Sequence, residues 1–106
     1  MEVRFKTWDC VTKVGQYGND QLAIQLMDNE DGEPIAKATV CIVGEQTQLN
    51  EVIIKDYSEN NGMSDALIKA GVIMPEVVQT IEVGFVTVNS FMLTEKFIAE
   101  INHVRG

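Results

Sequence analysis

Residues 22–42 read LAIQLMDNEDGEPIAKATVCI, and this stretch decides the fold. Apolar residues at every second position from Leu22 to Leu26 predict a half-buried strand, and a second alternation over 35–43 predicts another. The segment DNEDGEP at 28–34 has the composition of a turn. We therefore predict an antiparallel hairpin with a long acidic tip.

Outward from this hairpin, the pattern predicts a single α+β domain over residues 1–106. We expect an antiparallel sheet of about five strands, with further strands near 3–14, 52–54 and 81–88. A bulge or tight turn is expected near Trp8 to Cys10, and Trp8 and Phe85 are expected in the core. Two helices are predicted to pack on the sheet, at about 58–70, with Ser58 as its N-cap, and at about 94–104, capped by Thr94.

The composition favours some partners over others. The chain has 16 Asp and Glu against 8 Lys and Arg, for a net charge of -8. Direct binding to nucleic acid or anionic membranes is disfavoured, because both rely on basic side chains. A partner protein with a basic surface is electrostatically favoured. The alternative is that the acidity serves solubility only.

The cysteines and the first residues predict an intracellular, cytoplasmic protein. Cys10 and Cys41 have neither metal-site nor redox-pair spacing, and we expect them to be free thiols. Glu2, Arg4 and Lys6 interrupt any apolar run of the kind that a signal peptide needs. No apolar segment approaches the length of a membrane span.

The sequence predicts no enzyme, no cofactor and no metal site. The single histidine, His103, has no nucleophile paired with it in sequence and is expected to be a polar tail residue. The glycines at 15–18 lack the lysine of a phosphate-binding loop. The acidic tip at 28–34 does not have the ligand spacing of a calcium loop. An enzyme built from dispersed carboxylates remains an alternative.

Two segments are candidate protein-contact surfaces. The first is the acidic tip, which projects negative potential because no Lys or Arg occurs from residue 14 to residue 36. Its candidate residues are Asp28, Glu30, Asp31 and Glu33. The second contains Asp56, Tyr57 and Glu59, an exposed tyrosine among polar residues. Its structural alternative is that Asp56 and Ser58 cap a helix and Tyr57 packs on the sheet.

Residues 17–42, 53–73 and 84–86 together resemble an uncharacterised family of small proteins carried by phages and conjugative elements of gut bacteria. That family is catalogued as a domain of unknown function. The segments KDYSEN and DGEP carry most of the resemblance. Asp20 and Cys41 depart from its pattern, and the helix after Leu93 lies outside it. The resemblance implies a mobile-element setting and brings no catalytic residues.

These observations lead to a functional hypothesis with one main alternative. We expect a non-enzymatic, acidic protein-binding module of a phage or mobile element. Its expected target is a host nucleic-acid-handling defence nuclease, in the manner of anti-CRISPR or anti-restriction proteins, some of which mimic DNA. The alternative is a self-associating structural or assembly protein, a homo-oligomer formed through a sheet edge or the terminal helix.

Overall fold

The computed structural model describes residues 1–19 and 21–105, with side-chain environments up to Asn102. Asp20, which belongs to the turn predicted at 15–20, and the side chain of His103 lie outside the described part of the chain.

Seven antiparallel strands form two sheets in the described residues. The first sheet has the order β1–β2–β3–β4, with the strands Glu2–Phe5, Trp8–Gln16, Leu22–Asp28 and Pro34–Lys37. The second has the order β5–β7–β6, where β5 is Glu51–Ile54, β6 is Ile73–Val83 and β7 is Val86–Leu93. A single bridge between Thr39 and Ile54 connects the sheets.

Two α-helices complete the fold: α1 is Met63–Ala70 and α2 is Glu95–Arg105. The α+β class is confirmed, and so is the predicted antiparallel hairpin, which is β3 and β4. Its second strand is shorter than expected, because β4 ends at Lys37 and does not extend to Val43. Thr94 caps α2 as predicted, because its Oγ1 accepts the backbone N–H of Phe97 at 3.1 Å. Ser58 is not the cap of α1. It has a φ of +58° and opens a short 3-10 turn over Ser58–Asn60, and α1 begins five residues later.

The strand count exceeds the expected five for two local reasons. The stretch predicted as one strand at 3–14 is divided into β1 and β2 by a turn in which Lys6 has a φ of +55°. The segment predicted as one strand at 81–88 is divided between β6 and β7 by the turn at Gly84 and Phe85. Strand β6 also begins earlier, at Ile73, and continues through Pro75. Proline is tolerated there because β6 is an edge strand, where a missing N–H removes no hydrogen bond from the sheet interior.

The main core lies where both helices meet the sheets. Leu67 and Met63 of α1 and Phe97 of α2 are fully buried, together with Ile24 and Leu26 of β3. A smaller cluster, called here the second core cluster, consists of Ile53, Ile81 and Val88 with Val40, Ile42 and Tyr57 packed against it. None of the described helices is long and apolar enough to cross a membrane.

Both cysteines are free, as expected. Cys10 is buried, and Cys41 is half-buried. Burial raises the pKa of the Cys10 thiol, and the nearby carboxylates of Asp28 and Asp9 raise it further. Cys10 therefore stays protonated at neutral pH and packs as a small apolar residue.

Candidate protein-contact surfaces

The acidic loop, defined here as residues 28–33, is held by its own hydrogen bonds. The backbone N–H of Asp28 donates to the Glu33 carbonyl at 2.7 Å, and that of Gly32 donates to the Asp28 carbonyl at 3.0 Å. The carboxylates of Asp28 and Asp31 accept the backbone N–H groups of Glu30 and Glu33 at 2.8 and 2.9 Å. These bonds give the loop a defined shape.

The carboxylates of the acidic loop have no cationic partner. Glu30, Asp31 and Glu33 are exposed and Asp28 is half-buried. In the described part of the chain, none of the four is in a salt bridge. The N–H of Asn29 donates to the backbone carbonyl of Asp9 at 3.0 Å, and this bond ties the acidic loop to the start of β2. The negative potential of the acidic loop is thus directed at solvent.

Asp56 has a structural role that explains its position. Its Oδ1 accepts the backbone N–H groups of Gly62 and Met63 at 2.7 and 3.2 Å, and its Oδ2 accepts that of Ser64 at 3.1 Å. These N–H groups belong to the first turn of α1, where no intrahelical acceptor exists. Asp56 therefore caps α1, although it precedes Gly62, the first of these donors, by six residues.

The charge of Glu59, unlike that of the acidic loop, is compensated. The Lys55 ammonium lies 2.6 Å from its carboxylate, and this hydrogen bond lowers the pKa of Glu59 to about 2. The same ammonium lies 5.5 Å from the centroid of the Tyr57 ring, and Tyr57 packs against the second core cluster. Lys6 also donates to the Glu59 carbonyl at 2.7 Å. The structure thus places Tyr57 on the sheet, as its structural alternative predicted.

The β6–β7 hairpin exposes an apolar surface that the sequence analysis missed. Of the eight exposed large apolar residues in the described chain, five lie on this hairpin: Met74, Val77, Val78, Val83 and Phe85. Phe85 was expected in the core, but it is fully exposed at the hairpin tip. Trp8, also expected in the core, is 43% exposed at the start of β2.

The short turn of this hairpin explains why Phe85 is exposed. Val83 pairs with Val86, so Gly84 and Phe85 are the only loop residues, and Gly84 has a φ of +59°. Glycine at the first position of a two-residue turn is the pattern of a hairpin. The sequence Val-Gly-Phe-Val at 83–86 could therefore have revealed the turn, whereas alternation alone suggested a buried ring.

A groove of about 600 Å³ lies between the 45–51 segment and α2, and Glu51 lies beneath it. Glu51 is buried, yet it accepts three hydrogen bonds: from the Gln48 N–H at 2.8 Å, the Gln79 amide at 2.7 Å and the Ser90 hydroxyl. Burial alone would raise the pKa of Glu51, but the three hydrogen bonds outweigh it and the pKa is lowered. Glu51 is therefore an ionised structural anchor for this segment.

The polar groups around the groove are engaged in holding the chain. The Gln21 amide donates to the carbonyls of Ile42 and Glu45 at 2.9 and 3.0 Å and accepts the Ile42 N–H at 3.0 Å. In the described chain, every buried side-chain nitrogen and oxygen has a hydrogen-bond partner. The described residues also contain no group of three or more side chains suited to hold a metal ion.

Comparison with models of known families, with curated proteins and with solved structures finds no significant match to this chain. The resemblance of residues 17–42 and 53–73 to a mobile-element family therefore stays a prediction. Function has to be inferred from the surfaces of the protein itself.

Proposed function

We propose that this protein is a non-enzymatic module that binds a partner protein with a basic surface through the acidic loop. The observation that carries the proposal is the clustering of uncompensated carboxylates. Four acids lie within the six residues of the acidic loop and none has a salt bridge in the described chain, whereas Asp9, Glu59 and Glu100 each lie within 2.7 Å of a cationic group. An unpaired cluster of charge interacts favourably with an oppositely charged surface.

The geometry of the acidic loop also favours binding. Its backbone is held by hydrogen bonds at both ends, so little conformational freedom is lost when a partner binds. The net charge of -8 has the same sign as the acidic loop and adds long-range attraction for a basic partner. Attraction of this kind raises association rates and falls with increasing salt.

The basic partner in this proposal is a bacterial defence nuclease, acting on nucleic acid in the host cytoplasm. Such an enzyme binds phosphates with Lys and Arg, and carboxylates can occupy the same positions. The protein would then be an inhibitor of the anti-CRISPR or anti-restriction type, mimicking DNA by charge. The support for this part is the acidity of the chain and the mobile-element setting that its resemblance implies.

The test compares two variants with equal net charge. The first replaces Asp28, Glu30, Asp31 and Glu33 by Asn or Gln, which keeps the acceptor oxygens of the Asp28 and Asp31 side chains. The control neutralises four exposed acids outside the acidic loop, namely Glu2, Asp65, Glu76 and Glu95.

Wild-type protein should retain a nuclease from bacterial lysate at low salt, release it at moderate salt and inhibit its cleavage of DNA. The acidic-loop variant should lose retention and inhibition, while the control variant keeps most of both. If the acidic-loop variant and the control variant retain equal amounts of a nuclease that the wild-type protein inhibits, the acidic loop is not the binding surface.

Self-association is the alternative function, and the exposed apolar residues of the β6–β7 hairpin favour it. The terminal helix is a weaker candidate for a self-interface, because Phe97 of α2 is fully buried in the main core. Deleting that helix would therefore unfold the domain and could not test the interface. Sedimentation at increasing concentration distinguishes the two functions, since the inhibitor is expected to stay monomeric.

A further inference from the structure

Strand β6 has a hydrogen-bonded neighbour on one side only. It is the outer strand of the β5–β7–β6 sheet and is 11 residues long. In the described chain, no loop or helix backbone forms a hydrogen bond with its last five residues, Gln79–Val83, on the other side. Unpaired edges of this kind are templates for an added strand.

Hairpin geometry identifies which backbone groups are free. Val83 and Val86 close a two-residue turn, so they exchange backbone hydrogen bonds. Hydrogen-bonded pairs alternate along an antiparallel ladder, so Ile81 and Val88 form the next one. Glu82 lies between these two pairs and Thr80 lies just beyond Ile81, so the N–H and C=O groups of both residues point away from β7.

The usable part of this edge is short and well defined. The pairing of β6 with β7 shifts register between Ile73 and Val77 and again between Val77 and Gln79. Pro75 also lacks an N–H group. Bulges and proline disrupt strand addition, so the upstream half of β6 is protected. The regular free edge is confined to Gln79–Val83.

The side chains along this edge specify what would pair with it. Ile81 belongs to the second core cluster and is 8% exposed, and Val83 on the same face is 40% exposed. Glu82 lies on the opposite face, is exposed and has no salt bridge in the described chain. An added strand would therefore present apolar residues beside Ile81 and Val83, and basic residues beside Glu82.

We propose that the edge Gln79–Val83 is a docking site for an extended segment of a partner protein in which apolar residues alternate with Lys or Arg. A second copy of this chain fits less well. Pairing two β6 edges brings together two chains that each carry a charge of -8, with Glu76 and Glu82 on both edges. This inference goes beyond the proposed function, because it does not depend on the acidic loop.

The first test uses the full chain and two short labelled peptides of equal charge that alternate Val with Lys: the Val–Lys peptide itself, and a form of it that is methylated at every backbone nitrogen. Only the unmethylated Val–Lys peptide can donate strand hydrogen bonds. Fluorescence anisotropy should show that the Val–Lys peptide binds about a hundredfold more tightly, the difference expected for two net hydrogen bonds at about tenfold each. Equal affinity for the two peptides would overturn the proposal.

The second test locates the binding site. Thr80→Pro removes an outward N–H group, and Thr80→Val keeps it; both lose the hydrogen bond from the Thr80 hydroxyl to Asn89, at 2.9 Å. Thr80→Pro should weaken binding of the Val–Lys peptide about tenfold relative to Thr80→Val, because one donor is lost. Equal affinities of the two folded variants would place the peptide elsewhere and refute the proposal.

A charge reversal keeps the proposal testable if Thr80→Pro fails to fold. Glu82→Lys should weaken binding of the Val–Lys peptide more than Glu30→Lys does, although both change the net charge equally. The reverse order would assign the peptide to the acidic loop and refute the edge site. If the protein alone sediments as a dimer that Thr80→Pro dissociates, and the peptide does not bind, the occupant is a second copy and the proposal is wrong.

Discussion

Replacing Glu51 by Gln tests whether a buried carboxylate stabilises this acidic protein. Glu51 is 1% exposed and accepts hydrogen bonds from Gln48, Gln79 and Ser90. A glutamine has nearly the same shape but carries an NH₂ group in place of one oxygen. Whichever way the amide is turned, that NH₂ group faces at least one of the three donors.

The expected loss of stability follows from the hydrogen bonds. A buried donor left without an acceptor costs about 1–3 kcal/mol, and the remaining bonds weaken because their acceptor is no longer charged. If the amide introduced at position 51 is oriented so that its oxygen keeps the hydrogen bond from Gln48, its NH₂ group faces Gln79. The Gln79 amide must then flip, and this breaks its 3.2 Å hydrogen bond to the Gln46 carbonyl. We expect Glu51→Gln to lower the free energy of unfolding by about 2 kcal/mol, which corresponds to roughly 10 °C in Tm for a domain of this size.

The pH dependence gives a second measurement of the same group. The pKa of Glu51 is lower in the folded protein than its ordinary value. Its ionised form therefore contributes stability above the unfolded pKa of about 4.3, and this contribution is lost as the pH falls through the folded pKa. The stability difference between wild type and Glu51→Gln should be largest at neutral pH and shrink on acidification below about pH 4.

The assay is urea unfolding followed by circular dichroism at several pH values, with Glu82→Gln as the control at an exposed glutamate. The control should stay within about 0.5 kcal/mol of wild type, as surface substitutions usually do. The reasoning is refuted if Glu51→Gln is as stable as the control at neutral pH, or if its deficit does not change on acidification.

Two further predictions concern the helices. Asp56→Ala should lower the free energy of unfolding by about 1–2 kcal/mol, because it removes the cap of α1. In the same thermal unfolding experiment, Glu59→Gln should barely change Tm, because it breaks only an exposed ion pair. Equal changes in Tm for the two variants would argue against the cap. Phe97→Ala should cost about 3–5 kcal/mol in urea unfolding, because it leaves a cavity in the main core, whereas Lys96→Ala on the exposed side of α2 should be nearly neutral.

Local patterns predicted the elements whose stabilising signals are close in sequence. The alternation from Leu22 to Leu26 identified β3, and the helical spacing after Thr94 identified α2, which spans Glu95–Arg105. Both signals depend on which face of an element is buried, and that face can be read from residue spacing. The edge position of β6 could not be predicted in this way, because strand order depends on tertiary pairing.

The two exposed aromatic residues show the same limit. Trp8 and Phe85 occupy positions that alternate like core residues, yet Trp8 is the first residue of β2 and Phe85 lies in the turn between β6 and β7, and both are exposed. Alternation assigns a side chain to a face of the sheet, and the cover over that face is set by other parts of the chain. Alternation therefore misjudged burial at the start of a strand and in a turn.

The candidate surfaces were predictable to different degrees. The acidic loop was evident from composition, and the capping role of Asp56 was one of two interpretations of a local pattern. The network around Glu51 had no local signal, because Gln79 and Ser90 are 28 and 39 residues away in sequence. One buried acid among 16 is indistinguishable by composition from the exposed ones.

The two proposed surfaces should respond differently to salt, and this separates their contributions to any complex. Exposed ion pairs contribute about 0–1 kcal/mol each, so the four carboxylates of the acidic loop cannot by themselves sustain a tight complex at physiological ionic strength. Backbone hydrogen bonds and apolar contacts at the edge Gln79–Val83 are much less sensitive to salt. A partner that is released by moderate salt therefore relies on the acidic loop. A partner that stays bound must also contact exposed apolar side chains, and in the described chain most of the large ones lie on the β6–β7 hairpin.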